Sequence, residues 1–499
     1  MSRRSRNVRT KEGPVQPKVL HVTSEMAPLV KVGGLGDVVG SLPASLNAMD
    51  TDARVLIPAY AGVLDRVSDE GFRLTRLTRT VETALRWSVI RSRIWRALVN
   101  GVPVYLLEND ALYGSPAPYP DVLTPDSVVP FAFLSLAALD LHAAVRWKPD
   151  IIHCHDWPTS LASIALRWHR HYRTIPRKPF SVLTIHNLAH QGILPRKVLD
   201  EWGIAEDAFA MDGIEFYGDV NLLKGAIVAS DRVTTVSPRY AAEILTEEGG
   251  RGLSGVLGEH SGKLSGILNG LDTTLWNPER DSAISCRFGA SRPEGRLECR
   301  KAFLEDIGWD DDGSPLCIVV SRLVRQKGLD ILIPAIPRIL SLGAKVVIIG
   351  KGESAFEERL AAMDPTFPGR VRTILTYDER LAHAAYAGGD IFLMPSNFEP
   401  CGLSQLISLR YGAVPVVRAV GGLADTISDA DASPNGYGFT FDAYDADALV
   451  GAVSRALDAY RDTKRWNEIR RRGMKTDFGW KRSASAYKAL YLSLLSQKP

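Results

Sequence analysis

Lys31-Val32-Gly33-Gly34-Leu35-Gly36-Asp37-Val38-Val39 is the stretch from which the fold is read. Before it, Lys18 to Thr23 is a short apolar run around His21, and after it Val38, Val39, Leu42 and Leu46 recur at helical spacing. The stretch is therefore expected to join a strand to a helix through a glycine turn. Such a turn suits an anion: glycines admit a phosphate close to the backbone, a helix start offers unpaired N–H groups, and Lys31 adds a mobile charge. The glycines run Gly34-x-Gly36-x-x-x-Gly40, one residue off the dinucleotide pattern, and no P-loop motif occurs. A nicotinamide or P-loop protein loses support accordingly. Taken alone, a glycine turn before a helix is more often packing than a site, so the case rests on what joins it.

Working outward, the same grammar repeats. Ala53 to Pro58 is an expected strand, the alternating Trp87 to Asn109 around Asn100-Gly101 reads as paired antiparallel strands at a sheet edge, and Val128 to Arg146 as an Ala/Leu-rich helix. Expected strands then end in His153-Cys154-His155-Asp156-Trp157, in His186-Asn187, in Ser237-Pro238 and in Asn269-Gly270. After a polar segment a second series starts with Leu316 to Val320, Lys345 to Ile349, Val371 to Leu375, Asp390 to Met394 and Val414 to Val417. Strands alternating with helices predict parallel sheets, whose ligands gather at the carboxyl ends of the strands. Glu25, Asp156, His186 and Asn269 all fall at such ends. The tail from Tyr444 to Leu495 reads as helical, interrupted near Phe478-Gly479-Trp480.

With 499 residues, 45% hydrophobic and 23% charged, the chain is too long for one core, and two or three domains are expected. A formal charge of +3 is near balance. Arg3, Arg4, Arg6, Arg9, Lys11 and Lys18 supply much of it, without apolar periodicity, and the expectation for residues 1–17 is a solvated, disordered tail. Nothing else suggests a nucleic-acid partner. The cysteines Cys154, Cys286, Cys299, Cys317 and Cys401 are odd in number and widely spaced, which argues for a reducing compartment and against structural zinc. No long apolar run or signal peptide is seen, so a cytoplasmic protein without membrane partners is expected.

Three groups of residues carry chemistry. Arg322 and Lys327, in a loop that follows an expected strand and enters a helix, can converge on one anionic group, the first as a planar fork and the second as a point charge. Surface salt bridges are the bland alternative. Glu399 lies between Phe398 and Pro400 in a stretch with few other charges, where a carboxylate is costly to bury unless something pairs with it. The following Gly402-Leu403-Ser404-Gln405 opens a helix whose free N–H groups suit a phosphate. His155 and Asp156 have no G-x-S-x-G serine to complete a triad, and His153 with His155 lacks a third ligand assignable from sequence, so a structural or substrate-binding role outweighs a metal.

The motifs Lys31 to Asp37, His155-Asp156-Trp157, His186-Asn187-Leu188, Asn269-Gly270-Leu271-Asp272, Ser321-Arg322-Leu323 through Lys327-Gly328, and Pro395-Ser396-Asn397-Phe398-Glu399-Pro400-Cys401-Gly402-Leu403-Ser404-Gln405 resemble, in order from residue 18 to about 495, those of bacterial glycogen synthases and plant starch synthases. The resemblance implies an α/β chain of the GT-B class: two Rossmann-like domains facing across a deep cleft, with a C-terminal helix crossing back to the first. The domains implied are 18–272 on the acceptor side, a connecting segment 273–300, 301–475 on the donor side, and the returning helix 476–499. The activity implied is retaining transfer of glucose from ADP-glucose to the non-reducing 4-hydroxyl of an α-1,4-glucan such as glycogen, with no metal or cofactor. By the same likeness Lys31, Gly33 and Gly34 lie near the donor's phosphates and sugar, and Arg322 and Lys327 on the diphosphate. Glu399 would bind the transferred glucose, with Cys401, Gly402, Leu403 and Ser404 beside it. His186 would line the reacting face, with Asn269 near the sugar, Tyr377 stacked on the nucleobase, and Asp156 with Trp157 toward the acceptor. Ile407 stands where many retaining GT-B enzymes carry a second carboxylate, which disfavours a two-carboxylate double displacement. Alternatives kept open are a UDP-sugar transferase or epimerase of the same fold, and a catalytically silent glucan-binding protein.

Overall fold

The computed structural model describes residues 16–376 and 378–497. The arginine cluster of the first eleven residues and Tyr377 lie outside the described residues. The chain divides into two compact units. One gathers the chain up to Thr184, His190–Val233 and everything from Lys481; the other gathers Ile185–Ala189 and Thr234–Trp480.

In the first unit β1 (Lys18–Val22), β2 (Asp52–Pro58), β3 (Leu74–Leu85), β4 (Ser88–Val99), β5 (Val102–Glu108), β6 (Ile151–His155) and β7 (Phe180–Ile185) stand in the order β7-β6-β1-β2-β5-β4-β3. Strands β7 to β5 in that order run parallel, and β4 and β3 return antiparallel. The expected hairpin is present as β4 and β5, turned by Asn100 (φ 49°) and Gly101 (φ 80°), the pairing that a left-handed two-residue turn favours. Sequence reading did not anticipate β3. Its buried positions begin only at Val81, so its first half shows no apolar alternation. The glycine turn leads, as expected, into the helix Gly34–Asn47, which buries Val38, Val39, Leu42 and Leu46.

The C-terminal helix Lys481–Leu495 also belongs to this unit, and it meets a buried histidine cluster. His153 Nδ1 lies 2.7 Å from the Tyr491 hydroxyl and its Nε2 2.6 Å from Thr184 Oγ1, while His21 Nδ1 lies 3.0 Å from His155 Nε2. Burial lowers the His21 pKa from 6.5 to about 3. The native state therefore keeps the ring neutral where the unfolded chain takes up a proton. This contribution to stability is whole above the unfolded pKa and is lost as pH falls from 6.5 toward about 3. The loss runs at up to about 1.4 kcal/mol per pH unit. Calorimetry across that window is expected to show a falling Tm, with a shallower slope in His21→Leu; equal slopes in the two proteins would contradict it.

In the second unit β8 (Leu316–Val320), β9 (Lys345–Ile349), β10 (Val371–Ile374), β11 (Ile391–Met394), β12 (Val414–Arg418) and β13 (Phe439–Phe441) form an all-parallel sheet in the order β10-β9-β8-β11-β12-β13. Alternate residues enter two separate cores: Cys317, Val346 and Ile348 pack in one with the helices Leu329–Ser341 and Ala446–Arg461, and Leu316, Val347 and Ile349 pack in the other with Phe303 and Tyr386. Both faces are covered, which is why these strands read as continuous apolar runs.

The unit boundaries do not coincide with an expected break at 272. Within the second unit the Gly421 N–H donates to the Glu243 carboxylate at 3.0 Å and the Arg239 N–H to Asp425 Oδ2 at 2.8 Å, which joins Thr234 onward to the helix Gly421–Thr426. The segment 273–300 is likewise part of this unit's core, through buried Trp276, Ile284, Phe288 and Cys299. Its Asp281 carboxylate lies 2.6 Å from His383 Nδ1 and accepts from the Tyr411 hydroxyl at 2.5 Å.

Candidate active site

In the first unit the glycine turn is held by a carboxylate. Glu25, just past β1 and buried, accepts the N–H groups of Val32 at 2.6 Å and Gly33 at 3.0 Å on Oε2, and the Tyr119 hydroxyl at 2.5 Å on Oε1. Two N–H groups that the sequence reading offered to an anion are thus used internally. The amides of Gly34 and Leu35, the first two helical residues, have no partner within their helix. Lys31 Nζ stands 2.7 Å from Asp37 Oδ1. The glycines of the turn differ in their reasons. A Cβ on Gly36 would come within 3.2 Å of Val30 O and 3.3 Å of Glu25 Oε2, so a side chain there would press on its neighbours. Gly33 has φ −150°, which any residue adopts, and a Cβ on it would meet nothing within 4 Å. The fold alone does not require glycine at 33.

At the end of β6, half-buried Asp156 has φ 57°, a left-handed conformation that costs a non-glycine residue about 1–2 kcal/mol. It is held by its own N–H to Thr184 O at 3.0 Å and by Ser160 Oγ donating to its carbonyl at 3.1 Å. Trp157, next to it, is buried with its ring edge-on to Phe131.

The second unit brings more of the expected residues together. Lys327 Nζ donates to Glu399 Oε2 at 2.6 Å, and Ser396 Oγ donates to the same oxygen at 3.0 Å. The pair is well buried, with side chains 16% and 7% exposed. Glu399 Oε1 has no hydrogen-bond partner among the described residues, so one oxygen is anchored and the other remains an acceptor. The backbone is equally constrained: the Gly422 N–H donates to Glu399 O at 3.0 Å, and a Cβ on Gly421 would stand 2.0 Å from that carbonyl. Arg322, just past β8, is exposed and has no ion pair among the described residues. Cys401 is buried beside Asn269, which hydrogen-bonds its thiol; burial pushes that thiol up to about 12, so it stays protonated. Asn269 Oδ1, also buried, has no hydrogen-bond partner among the described residues. Leu403 caps the helix Ser404–Tyr411, and Gln405 Nε2 ties back to the carbonyls of Cys401 and Gly402 and to Thr426 Oγ1. His186 is half-buried, and its surroundings lower its pKa to about 3, which leaves the ring neutral. The strand end before it is fixed by Thr235 Oγ1 donating to Ile185 O at 2.8 Å.

Sequence reading placed Glu399, Lys327 and Asn269 at strand ends without pairing them. It overlooked Ser396 as a hydroxyl donor, although the residue lies inside the quoted motif, and it missed what Glu25 does. For a metal, the one group among the described residues with ligand atoms mutually within 4.8 Å is His21, His153 and His155. Both ring nitrogens of His153 already face hydroxyls, and His21 faces His155, so these atoms serve a hydrogen-bonded core.

Residues 18–259 match the family described as starch synthase catalytic domain, and residues 304–473 match glycosyl transferases group 1. The chain is 41% identical over 489 residues to a glycogen synthase of Geotalea daltonii, covering 96% of this chain and 99% of the relative. It is 42% identical over 491 residues to a glycogen synthase of Rhodospirillum rubrum, covering 96% and 98%. The catalytic domain of starch synthase IV from Arabidopsis thaliana, bound to ADP and acarbose, superposes with a TM-score of 0.90 at 35% identity, over 97% of this chain and 100% of that one. Sucrose-phosphate synthase from Thermosynechococcus elongatus shares the fold, with a TM-score of 0.60 at 18% identity, over 97% of this chain and all of that one.

Proposed function

The chain belongs to the starch and glycogen synthase family of GT-B glycosyltransferases, and from that premise we propose how its own residues move a glucosyl unit from ADP-glucose to the 4-hydroxyl at the non-reducing end of an α-1,4-glucan. The observation that carries the reading is the Lys327–Glu399 pair, with one carboxylate oxygen fixed and the other open, on the same unit as an unpaired Arg322. Negative charge grows on the leaving diphosphate as the glycosidic bond lengthens, and catalysis lies in meeting that charge with preplaced cations. Lys327 is preplaced by Glu399, and Arg322 is free to reach an oxygen. The open oxygen of Glu399 and the unpaired Oδ1 of Asn269 accept hydroxyls of the transferred glucose. The neutral ring of His186 adds no cation beside an oxocarbenium-like centre, and its backbone carbonyl lends that centre a negative dipole. In the first unit Lys31, Gly33 and Gly34 take the sugar-phosphate side, while Asp156 and Trp157 take the acceptor. Because position 407 is isoleucine, Glu399 has no second carboxylate there to share a double displacement. A front-face route, in which the departing phosphate takes the acceptor's proton, accounts for retention with one carboxylate.

All five cysteines are free thiols, and no helix among the described residues is long and apolar enough to cross a membrane. The reading therefore includes work in the cytoplasm on a dissolved polymer.

The test is incorporation of labelled glucose into glycogen from ADP-glucose and from UDP-glucose, side by side, with ADP-glucose expected to be the better donor. A folded sample that incorporates glucose from neither ends the proposal. Arg322→Ala is expected to lower kcat/KM for ADP-glucose by about 100-fold, as loss of one charge-stabilising group does. Its Tm is expected to hold, because an exposed, unpaired side chain contributes little to folding. A fall of less than about threefold would remove Arg322 from the diphosphate.

A further inference from the structure

On the second unit a cavity of about 380 Å³ opens between the end of the helix Thr463–Lys475 and the loop that leads into β13. Asn435, Tyr437, Arg471, Arg472, Lys475 and Thr476 line it, so three of the six are cations and none is an acid. None of them has a part in the proposed transfer of glucose. The volume falls in the range of small-ligand pockets.

Arg471 and Lys475 are one helical turn apart, so their charges share a face and repel each other. Both are exposed, and neither side chain has an ion pair or hydrogen bond among the described residues. The third cation is anchored. Arg472 Nη1 donates to the carbonyls of Pro434 and Gly436, its Nε donates to Glu468 O at 3.2 Å, and its Nη2 lies 3.9 Å from Glu468 Oε2. The ordinary use of cations at a helix end is to cap the last carbonyls. Here those carbonyls already have donors. The Thr476 N–H donates to Arg472 O at 3.1 Å and Gly473 O at 3.2 Å, Thr476 Oγ1 donates to Arg472 O at 2.9 Å, and Arg410 Nη1 donates to Met474 O at 3.3 Å. The acids nearest in sequence are engaged as well: Glu468 faces Arg472, and Asp477 Oδ1 accepts the Gly479 N–H at 2.8 Å. Two unpaired cations beside an anchored guanidinium, around an open space, suit a doubly charged oxyanion. The remaining lining suits a sugar. The Tyr437 hydroxyl is committed to Thr426 O at 3.1 Å, which leaves its half-buried ring for C–H faces, and the exposed Asn435 amide both donates and accepts.

We propose that this cavity binds a small phosphate monoester of a sugar, its phosphoryl group between Arg471 and Lys475 and its sugar against Tyr437. The test is calorimetric titration of the full chain with fructose 6-phosphate, with inorganic phosphate and fructose as separate arms. Parallel titrations use Arg471→Ala, Lys475→Ala, the double variant, Lys475→Arg, and Arg322→Ala, which removes a cation from the proposed diphosphate site. The ester is expected to bind the parent, Lys475→Arg and Arg322→Ala alike. Each single alanine variant at 471 or 475 should bind it roughly fivefold more weakly, and the double variant should give no measurable heat. Added potassium chloride should weaken the parent's binding, as it does for any exposed charge pairing. All these variants should melt with the parent, because neither side chain has a partner to lose. Unchanged binding in the double variant overturns the site, as does binding that disappears in Arg322→Ala, which would belong to the diphosphate position. Equal affinity for inorganic phosphate, or for fructose, overturns the assignment to a sugar phosphate. A folded parent that takes up no ester at about 10 mM overturns the proposal outright.

Discussion

Glu399→Gln is expected to lower kcat with ADP-glucose by about 10²–10³-fold and to lower the thermal transition less than removal of Lys327 does, because the amide still accepts from the ammonium. The side chain keeps its shape, and an amide can still accept at one atom, so the surrounding backbone, locked by Gly422 and Gly421, has no reason to move. What changes is charge. Lys327 loses the carboxylate 2.6 Å away that fixes its position, and the open oxygen loses strength as an acceptor for a sugar hydroxyl. Lys327→Ala should lose activity on a similar scale and differ in stability, because it leaves a carboxylate 7% exposed with only Ser396 as donor. Breaking one side of such a pair costs about 3 kcal/mol. If the two residues act as one device, the double variant Lys327→Ala/Glu399→Gln loses little more activity than the worse single, and it recovers part of the stability lost in Lys327→Ala. Steady-state kinetics and calorimetry on the three variants decide this. Strictly multiplicative activity losses, or a Glu399→Gln protein with more than about a tenth of parental kcat, would dissolve the device.

That pairing marks the limit of what the sequence makes legible. Leu316–Val320 and Lys345–Ile349 are readable residue by residue because strands covered on both faces are apolar throughout. Leu74–Leu85 is not, since most of it lies against solvent and its threonines and arginines hide the period of two. Within the site, the same contrast holds between local and long-range chemistry. A lone acidic residue in an apolar setting announces that it needs a partner, but not that the partner is Lys327 and not Arg322. The amides of the glycine turn look available until Glu25 is seen to fill two of them. The free oxygen of Asn269 and the idle space at Gly33 are properties of packing, which no spacing of residue types encodes. The segment 273–300 looked like a connector because polar residues, Pro and Arg interrupt its apolar ones, yet Trp276, Ile284 and Phe288 suffice to anchor it.

The largest loss of stability is expected from Asp390→Asn. Asp390 stands directly before β11, buried, and its carboxylate accepts from Arg300 Nη1 at 2.5 Å and from the Leu316 N–H at 3.1 Å, with Arg296 at 3.6 Å and Arg470 at 3.4 Å. Arg300 has a second carboxylate in Asp311, at 3.0 Å, whereas Arg296 and Arg470 have no other acid within ion-pair distance among the described residues. The neutral amide keeps the volume and leaves two guanidinium groups in a low-dielectric interior without an acid, Arg296 on the carbonyl of Tyr411 and Arg470 over the Trp466 ring. Uncompensated charge of this kind costs about 3–5 kcal/mol. For a unit of this size that corresponds to a fall in Tm of roughly 10 °C. The cause can be separated from a merely lost hydrogen bond to Leu316 by removing the excess charge: Asp390→Asn/Arg470→Met should regain roughly half of the loss, because an apolar side chain of similar length replaces a stranded cation. If the second substitution destabilises further, the carboxylate matters as a hydrogen-bond acceptor for the start of β8 and not as a counter-ion. A Tm within about 2 °C of the parent for Asp390→Asn would mean that water reaches the cluster and screens it.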